Sequence, residues 1–195
     1  MVNLSPDLHP VDLYIQFRKN SGSYYYPSPS GYFTLTTIDT PFQIRPAAGT
    51  NSVNTYNIFN LDTILRANYK YTLFITGLVQ DTVRAIFSID TAHAPAVGRG
   101  KIRFLNGSPR SQGLNVVANG TTAFTNIKFQ KLTAFTEIPS GNYTFNIVQA
   151  SNPTVILKQL PSVTVQDGKL YTLYSYGLVG RTDTAAFGGG VIVNR

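Results

Sequence analysis

The chain has 195 residues, of which 43% are apolar and only 13% are charged, and it contains no cysteine. This composition argues against a disordered chain, and the lack of cysteine excludes disulfides, thiol nucleophiles and cysteine-ligated zinc. No window of eighteen uncharged apolar residues occurs, so the sequence predicts no membrane-spanning helix.

The net charge of +7 lies in the second half of the chain. Residues 1–95 carry six basic and six acidic side chains, whereas residues 96–195 carry ten basic and three acidic ones. Any attraction to anions is therefore expected in the second half.

The first half is predicted to form short β-strands. Runs rich in β-branched and aromatic residues are separated by Gly, Pro, Asn and Asp; in chain order they are VDLYIQF, YFTLTTI, FQIR, VNTYNIF, KYTLFITGLV and RAIFSI. Apolar residues at helical spacing do not persist for three turns anywhere in the chain. We therefore expect strands and no helix.

The second half has the same character, with the runs KIRFL, LNVVA, TAFTEI, NYTFNIV, TVILK, SVTV, LYTLYSYG and GVIVN. Six to eight strands in about a hundred residues are typical of a small sandwich. The expected fold class is all-β, with two tandem antiparallel β-sandwich domains. DTAHAPAVGRG (residues 90–100) has the Pro, Gly and small residues of a linker, so the domains are placed at residues 1–92 and 98–195.

Three landmarks recur in both halves in the same order. NLSPDLHPVDLYI (residues 3–15) aligns with NGSPRSQGLNVVA (residues 106–118), RPAAG (45–49) with IPSG (138–141), and YTLFITGLV (71–79) with YTLYSYGLV (171–179). On this alignment the first repeat holds about ten extra residues, and SGSYYYPSPSGY is the expected insert. The extra residues of the second repeat are expected near QASNPTVILKQLP.

The two repeats differ at their first strand. A full strand, in GRGKIRFL, precedes the second Asn-x-Ser-Pro turn, whereas only Met1 and Val2 precede the first. The first strand of repeat one is therefore expected to be cut short, and the natural precursor to extend upstream.

Several of these segments resemble the DUF4397 family, a family of unknown function: Asn-x-Ser-Pro-Asp followed by PVDLYI, IPSGNYTFNIV, and VQDGKLYTLYSYG. The resemblance covers nearly the whole chain as two copies. It implies immunoglobulin-like or transthyretin-like sandwiches without a catalytic set. Because members are typically bacterial secreted proteins or lipoproteins, it also implies an extracytoplasmic location, at the cell surface, outer membrane or periplasm, as a processed lipoprotein.

The residues that could support catalysis are few. His9 and His93 are the only histidines, and no metal-binding or nucleophile motif accompanies them. Asp7 follows Ser-Pro in a turn, where its carboxylate is expected to accept backbone N–H groups, and Asp12 is expected to point outward from its strand. Arg110 and Asn115 replace these acids in repeat two. The sequence predicts no enzyme, no cofactor and no metal site.

Two surfaces are candidates for ligand contact. In GSYYYPSPSGYF, alternation points Tyr25 opposite to Tyr24 and Tyr26, so at least one ring is expected to be accessible; with Tyr32, these rings could contact a sugar or a protein. The alternative is a loop folded onto its own sandwich.

The second candidate is a basic stripe on RGKIRF, where Arg99, Lys101 and Arg103 alternate with apolar residues. It could contact an anionic glycan or lipid headgroup. The alternative is an edge strand whose charges prevent pairing with other chains.

The sequence therefore predicts a non-catalytic extracytoplasmic module for binding, adhesion or display. The first alternative is a carbohydrate-binding accessory protein of a surface glycan-uptake system, and the second is a structural component of the cell envelope. The expected partner is a glycan or a cell-surface protein. Nucleic acid is not expected, and a membrane is expected only through an upstream lipid anchor.

Overall fold

The computed structural model describes residues 1–8, 10–38, 40–47, 56–62 and 64–194. The chain divides into two compact units, Met1–Asp90 and Thr91–Arg195, which we call unit 1 and unit 2. The described residues include no helix, and hence none with the length and apolar character needed to cross a membrane.

The described part of unit 1 forms two sheets. Sheet A has the order β1 (Val2–Asn3), β6 (Tyr71–Thr76), β7 (Arg84–Ile89). Sheet B has the order β3 (Arg18–Tyr24), β2 (Val11–Ile15), β4 (Phe42–Pro46), β5 (Phe59–Leu61). Sheet B is antiparallel, whereas β1 runs parallel to β6 in sheet A.

Unit 2 also forms two sheets. Sheet C has the order β11 (Thr136–Pro139), β8 (Arg99–Asn106), β14 (Leu170–Tyr176), β15 (Gly188–Val193). Sheet D has the order β10 (Thr121–Ile127), β9 (Leu114–Ala118), β12 (Gly141–Gln149), β13 (Ile156–Val165). As in unit 1, the first strand, β8, runs parallel to its neighbour β14.

The two units share one topology. The order β8-β14-β15 repeats β1-β6-β7, and β10-β9-β12-β13 repeats β3-β2-β4-β5; only β11 has no counterpart among the described strands of unit 1. In each unit the sheets enclose an apolar core, which in unit 2 includes Ile102 and Phe104 of sheet C and Val116 and Phe145 of sheet D. The expected all-β class, consistent with sandwich domains, is confirmed.

The strand pairing corrects the predicted alignment of the repeats. Leu13 pairs with Ile44 in sheet B, and Val116 pairs with Ile147 in sheet D, so FQIRP of β4 corresponds to FNIVQ of β12. Ile15 is 27 positions before Phe42, and Ala118 is 27 positions before Phe145. The predicted insert of about ten residues in repeat one is therefore wrong. The error arose because the two prolines that were aligned differ in position: Pro46 ends β4, whereas Pro139 ends β11, before β12 begins.

Some predicted strands also differ from the structure. YFTLTTI forms no strand in its described residues, and ILK of TVILK lies with SVTV in one strand, β13. The hairpin strands β3 and β10 were not predicted. In both units the turn before them has positive φ at two successive residues, Gln16–Phe17 and Asn119–Gly120. Asn-Gly is a strong hairpin signal that the sequence offered in unit 2 alone.

The Asn-x-Ser-Pro turn and the YTL strand, which recur in both repeats, contact each other in both units. Ser5 Oγ donates to the Gly77 carbonyl at 2.8 Å, and Ser108 Oγ donates to the Gly177 carbonyl at 2.6 Å. The Asn side chain two positions before each serine accepts that serine's N–H at 3.1 Å. The Asn-x-Ser-Pro turn thus joins the first strand of each unit to the end of the YTL strand.

A second contact repeated in both units is made by a tyrosine whose hydroxyl accepts a backbone N–H from the loop before its own strand. The Arg66 N–H donates to Tyr71 Oη at 3.0 Å, and the Gln166 N–H donates to Tyr171 Oη at 2.9 Å. The repeated tyrosine therefore serves loop packing, and the repeated phrase is explained by the fold.

Candidate functional site

The tyrosines of the predicted contact loop do not share one environment. Tyr24 ends β3 and packs on the core of unit 1, and burial raises the pKa of its phenol. Tyr25 is 63% exposed, whereas Tyr26 is half-buried, as the alternation predicts. Tyr32 Oη donates to Asp90 Oδ2 at 2.5 Å. Tyr25 is therefore the ring of YYY that is most open to a partner.

The predicted basic stripe is correct in its alternation, because Ile102 and Phe104 are buried in the core on the opposite side. Its exposure was predicted wrongly for Arg103, which is only 3% exposed. The Arg103 guanidinium lies 4.4 Å from the centre of the Phe135 ring, and its Nε donates to Thr172 Oγ1 at 2.8 Å. These contacts remove Arg103 from solvent.

The other two cations of the stripe share an acidic neighbour. Arg99 Nε and Lys101 Nζ each lie 3.5 Å from a carboxylate oxygen of Glu137, which β11 places beside β8. Lys101 also donates to the His93 carbonyl at 2.9 Å. This pairing compensates part of the positive charge that an anion would contact.

The acidic residues of repeat one hold its fold together. Both carboxylate oxygens of Asp7 accept the Val79 N–H at 3.1 Å, as predicted for backbone capping. Asp12 was expected at the surface, but it is 1% exposed. It lies 2.8 Å from Lys19 Nζ and accepts Ser23 Oγ at 2.7 Å, because strand β3 covers it.

The histidines contribute no site in the described structure. His93 is exposed, and His9 lies outside the described residues. Among the residues that the structure describes, no three His, Asp or Glu side chains are grouped so as to hold a metal ion.

The sequence did not predict an apolar groove of about 570 Å³ in unit 1. Sheet B supplies Leu13, Phe42 and Phe59 to its walls, and sheet A supplies Leu73 and Phe87. Exposed aromatic rings stand among its lining residues, namely Tyr32, Phe33 and Tyr69, which are 40–43% exposed. Apolar walls with a few polar groups are typical of ligand sites of this size.

The groove lies at a place where the two units differ. In both units the chain passes the first strand identically at first: Ser30 N–H donates to the Met1 carbonyl, and Thr133 N–H donates to the Phe104 carbonyl, both at 2.9 Å. In unit 2 the chain then forms β11, which pairs with Arg99–Ile102 of β8. In unit 1 the corresponding residues, 33–36, form no strand and line the groove.

A buried carboxylate lies on the other face of sheet A from the core. Asp90 is 1% exposed and accepts Thr72 Oγ1 at 2.5 Å and Ser88 Oγ at 3.0 Å, besides Tyr32. The Met1 amino group is close enough to interact with this charge: burial lowers the amino pKa to about 6, and Asp90 acts against that shift. The hydroxyl groups of Tyr32, Thr72 and Ser88 therefore compensate the burial of this carboxylate.

Unit 2 places an amide and an arginine at the corresponding position. Thr172 Oγ1 donates to Asn194 Oδ1 at 2.6 Å and accepts from Arg103 Nε. Thr172 and Asn194 correspond to Thr72 and Asp90 in the pairing of sheets C and A. In unit 2, Arg103 of the first strand thus donates to Thr172, which is itself bonded to Asn194.

The shared topology and the repeated contacts define a tandem protein of two all-β sandwich units. The chain belongs to the family described as "Domain of unknown function (DUF4397)", which matches residues 1–114 and 100–188, as two tandem copies. The resemblance predicted from the turn and strand motifs is confirmed. A comparison with curated proteins found no match.

Proposed function

We propose that the chain is a non-catalytic, extracytoplasmic binding module and that the groove of unit 1 is its ligand site. The observation that carries this proposal is the groove itself, about 570 Å³ in volume with apolar walls and exposed aromatic rings in its lining. A cavity of this kind offers buried contact area to a ligand, and the aromatic rings add rigid contact surface.

The non-catalytic role is supported by what the acidic groups do. Asp7 caps a backbone N–H, Asp12 pairs with Lys19, and Asp90 accepts hydroxyl groups within sheet A. Each carboxylate therefore has a structural task. The extracytoplasmic location is supported by the family resemblance, whose members are typically secreted proteins or lipoproteins.

The ligand site can be tested with the apolar dye 1-anilinonaphthalene-8-sulfonate. We expect saturable dye binding to the native chain. Leu35→Trp should lower the affinity for the dye at least tenfold, because Leu35 lines the groove and the larger indole ring of tryptophan fills it. Ile64→Trp is the matched control, since Ile64 belongs to the same unit, is 74% exposed and does not line the groove. Equal affinity in both variants would place the dye elsewhere and refute the groove as the site.

Glycan binding is the second candidate function, and exposed aromatic rings favour it. Tyr25, Tyr32 and Tyr69 are 63%, 43% and 40% exposed, and such rings can stack on sugars. An array of plant, host and bacterial polysaccharides, probed with the native chain and with Tyr25→Ala and Tyr69→Ala, would test it. Binding that both folded variants retain would exclude Tyr25 and Tyr69 as the contact.

A further inference from the structure

We propose that the outer face of sheet B, which is turned away from the core of unit 1, holds a second ligand site. There Arg45 binds the carboxylate of an acidic sugar of the hexuronic acid class. The side chains that form this site are not among those that line the groove, so the inference goes beyond the proposed function and does not depend on it. The observation that carries it is the way in which Arg45 is held.

Three contacts fix the guanidinium of Arg45, which lies in β4. Its Nε donates to Asn57 Oδ1 at 2.9 Å, and its Nη2 donates to Gln43 Oε1 at 2.8 Å. The central carbon of the guanidinium lies 4.3 Å from the centre of the Tyr14 ring. Gln43 pairs with Tyr14 in sheet B and is itself only 6% exposed. The guanidinium is therefore held in place before a ligand arrives, which lowers the entropic cost of binding.

All three contacts of Arg45 are with uncharged groups, so they leave its positive charge uncompensated. Among the described residues, no carboxylate lies within ion-pair distance of this guanidinium. Asp12, its neighbour across the strand pair, is instead bonded to Lys19 at 2.8 Å and to Ser23. In the same part of the chain, neither N–H of Arg45 Nη1 has an acceptor. A ligand oxyanion would therefore form charge-assisted hydrogen bonds here.

The charges on the outer face of sheet B favour a ligand with a single negative charge. Asp12 and Arg45 alternate with core residues of their strands, and Lys19 reaches Asp12, so these three side chains lie on the outer face. Arg18 pairs with Ile15, which packs on the core, and thus belongs to the other face. Asp12 and Lys19 compensate each other, which leaves the charge of Arg45. One such charge suits a carboxylate better than a phosphate dianion.

The neighbouring groups favour a sugar over a peptide as the bearer of this carboxylate. Strands β2 and β4 are each paired on both sides within sheet B, so a peptide would find no strand edge to join on this face. The accessible groups are side chains, and the amides of Asn57 and Asn60 are exposed. An amide both donates to and accepts from hydroxyl groups, which a sugar carries in number.

A tyrosine beside Lys19 adds aromatic surface to the site. The hydrogen bond to Asp12 raises the pKa of Lys19, and the phenols of Tyr14 and Tyr25 act on it in the same direction. Both phenols therefore lie near the Lys19 ammonium group. Tyr25 is 63% exposed, and an open ring of this kind offers a rigid surface on which a sugar ring can stack.

Unit 2 lacks these features on its corresponding face. Because β12 corresponds to β4 and β9 to β2, Val148 replaces Arg45 and Val117 replaces Tyr14. The four strands of sheet D carry one charged residue, Lys158. The shared fold therefore does not require an arginine at this position, and valine is compatible with it.

The test is calorimetric titration of the full chain with trigalacturonic acid and with its fully methyl-esterified form. Esterification removes the negative charges and keeps the sugar rings, so we expect saturable binding of the acid and at least tenfold weaker binding of the ester. Arg45→Val should weaken binding of the acid at least tenfold. Arg45→Lys should weaken it several-fold, because lysine keeps the charge but lacks the planar set of donors.

The matched control is Arg84→Val, since Arg84 is an exposed arginine of β7 in sheet A and its removal lowers the net charge equally. It should change the affinity less than twofold, and urea unfolding should show that each variant is folded. An equal loss of affinity in Arg84→Val and Arg45→Val would indicate a general attraction of the basic chain for acidic sugars and would overturn the site.

The remaining outcomes decide the ligand class. Equal binding of the acid and the ester, or no binding of the acid, would overturn the inference. Tighter binding of phosphorylated galactose, or of a peptide with a free C-terminal carboxylate, would overturn the assignment to a sugar carboxylate. The groove is tested separately with the dye and Leu35→Trp, so either site can fail while the other stands.

Discussion

Units 1 and 2 share a strand order, a serine hydroxyl that donates to a glycine carbonyl, and a tyrosine hydroxyl that accepts a backbone N–H from the preceding loop. They differ at the edge beside their first strand. In unit 2 the residues Arg99–Ile102 fill the space between β14 and β11. In unit 1 that space is an apolar groove. The shared features therefore explain the fold, and the proposed ligand site lies where the two units differ.

The two units also differ in their buried polar groups. Asp12 and Asp90 of unit 1 are buried, and asparagines occupy the corresponding positions 115 and 194 in unit 2. A buried carboxylate needs a cation or several hydrogen-bond donors to compensate its charge, whereas a buried amide needs hydrogen-bond partners but no cation. In unit 1, Lys19 meets this need at Asp12, and three hydroxyl groups meet it at Asp90.

The largest effect is expected at Gly77 and Gly177, the two glycines whose carbonyls accept the serine hydroxyls. Gly77 and Gly177 have φ values of 110° and 70°, and a Cβ at either position would collide with a carbonyl oxygen, that of Thr82 or Ala186. Gly77→Ala and Gly177→Ala should each lower the free energy of unfolding by about 3 kcal/mol or more, measured by urea unfolding.

The control for these two substitutions is Gly120→Ala. Gly120 has a φ of 86°, but no atom lies within 4 Å of the added Cβ. It should cost only about 1 kcal/mol, the conformational term alone. If all three substitutions cost the same, the collision with the Thr82 or Ala186 carbonyl is not what makes Gly77 and Gly177 necessary.

The next effect separates the buried and exposed cations of β8. Arg103→Ala should lower the free energy of unfolding by about 2–4 kcal/mol, because it removes the contact with Phe135 and the bond to Thr172 in a buried site. Arg99→Ala should cost less than about 1 kcal/mol, since its pairing with Glu137 is partly exposed. Equal losses would contradict the buried role of Arg103.

A pH effect distinguishes the two YTL strands. Burial raises the pKa of Tyr174 to about 12, whereas unit 1 carries Phe74 at this position. The phenol binds its proton more tightly in the folded chain than in the unfolded chain, whose tyrosines titrate near pH 10. Its contribution is therefore complete below about pH 10 and is lost as the pH rises toward 12.

Urea unfolding between pH 9 and pH 12 measures this loss, which should reach about 2–3 kcal/mol for Tyr174. Tyr174→Phe should make the decline shallower by that amount, and Tyr25→Phe, at a ring that is 63% exposed, serves as the control. A decline of the same steepness in Tyr174→Phe would show that another group causes it.

The smallest effect is expected for the repeated tyrosines, Tyr71 and Tyr171. Tyr171→Phe leaves the part-buried Gln166 N–H without its acceptor and should cost about 1–2 kcal/mol. Tyr71→Phe frees an N–H in a more exposed setting and should cost about 0.5 kcal/mol. Hydrogen exchange, read separately for each unit, checks the order; a larger loss for Tyr71 would reverse the argument from burial.

Much of the architecture could be predicted from the sequence because its signals are local. Alternation predicted RAIFSI and LNVVA at the bounds that the structure shows for β7 and β9. Turn motifs and the repeated phrase predicted two copies of one all-β unit. The hairpin at Gln16–Phe17 could not be predicted in this way, because neither residue is typical of a turn with positive φ.

The candidate site was largely invisible in the sequence because it depends on strand pairing. RGKIRF and VDLYI alternate as predicted, but alternation alone cannot show that Phe135 covers Arg103 or that β3 covers Asp12. Nor can it show that YFTLTTI forms no strand, since that segment has strand composition and lacks only a neighbour.

The sequence by itself thus determined the strand periodicity, the turns and the twofold repetition, because each depends on residues close together in the chain. Only the tertiary structure decided which charges are buried and where a groove opens. Burial and pairing join residues far apart in sequence, such as Asp90 with Tyr32 and Ser5 with Gly77. Their energies depend on the neighbouring strand, which the local pattern does not specify.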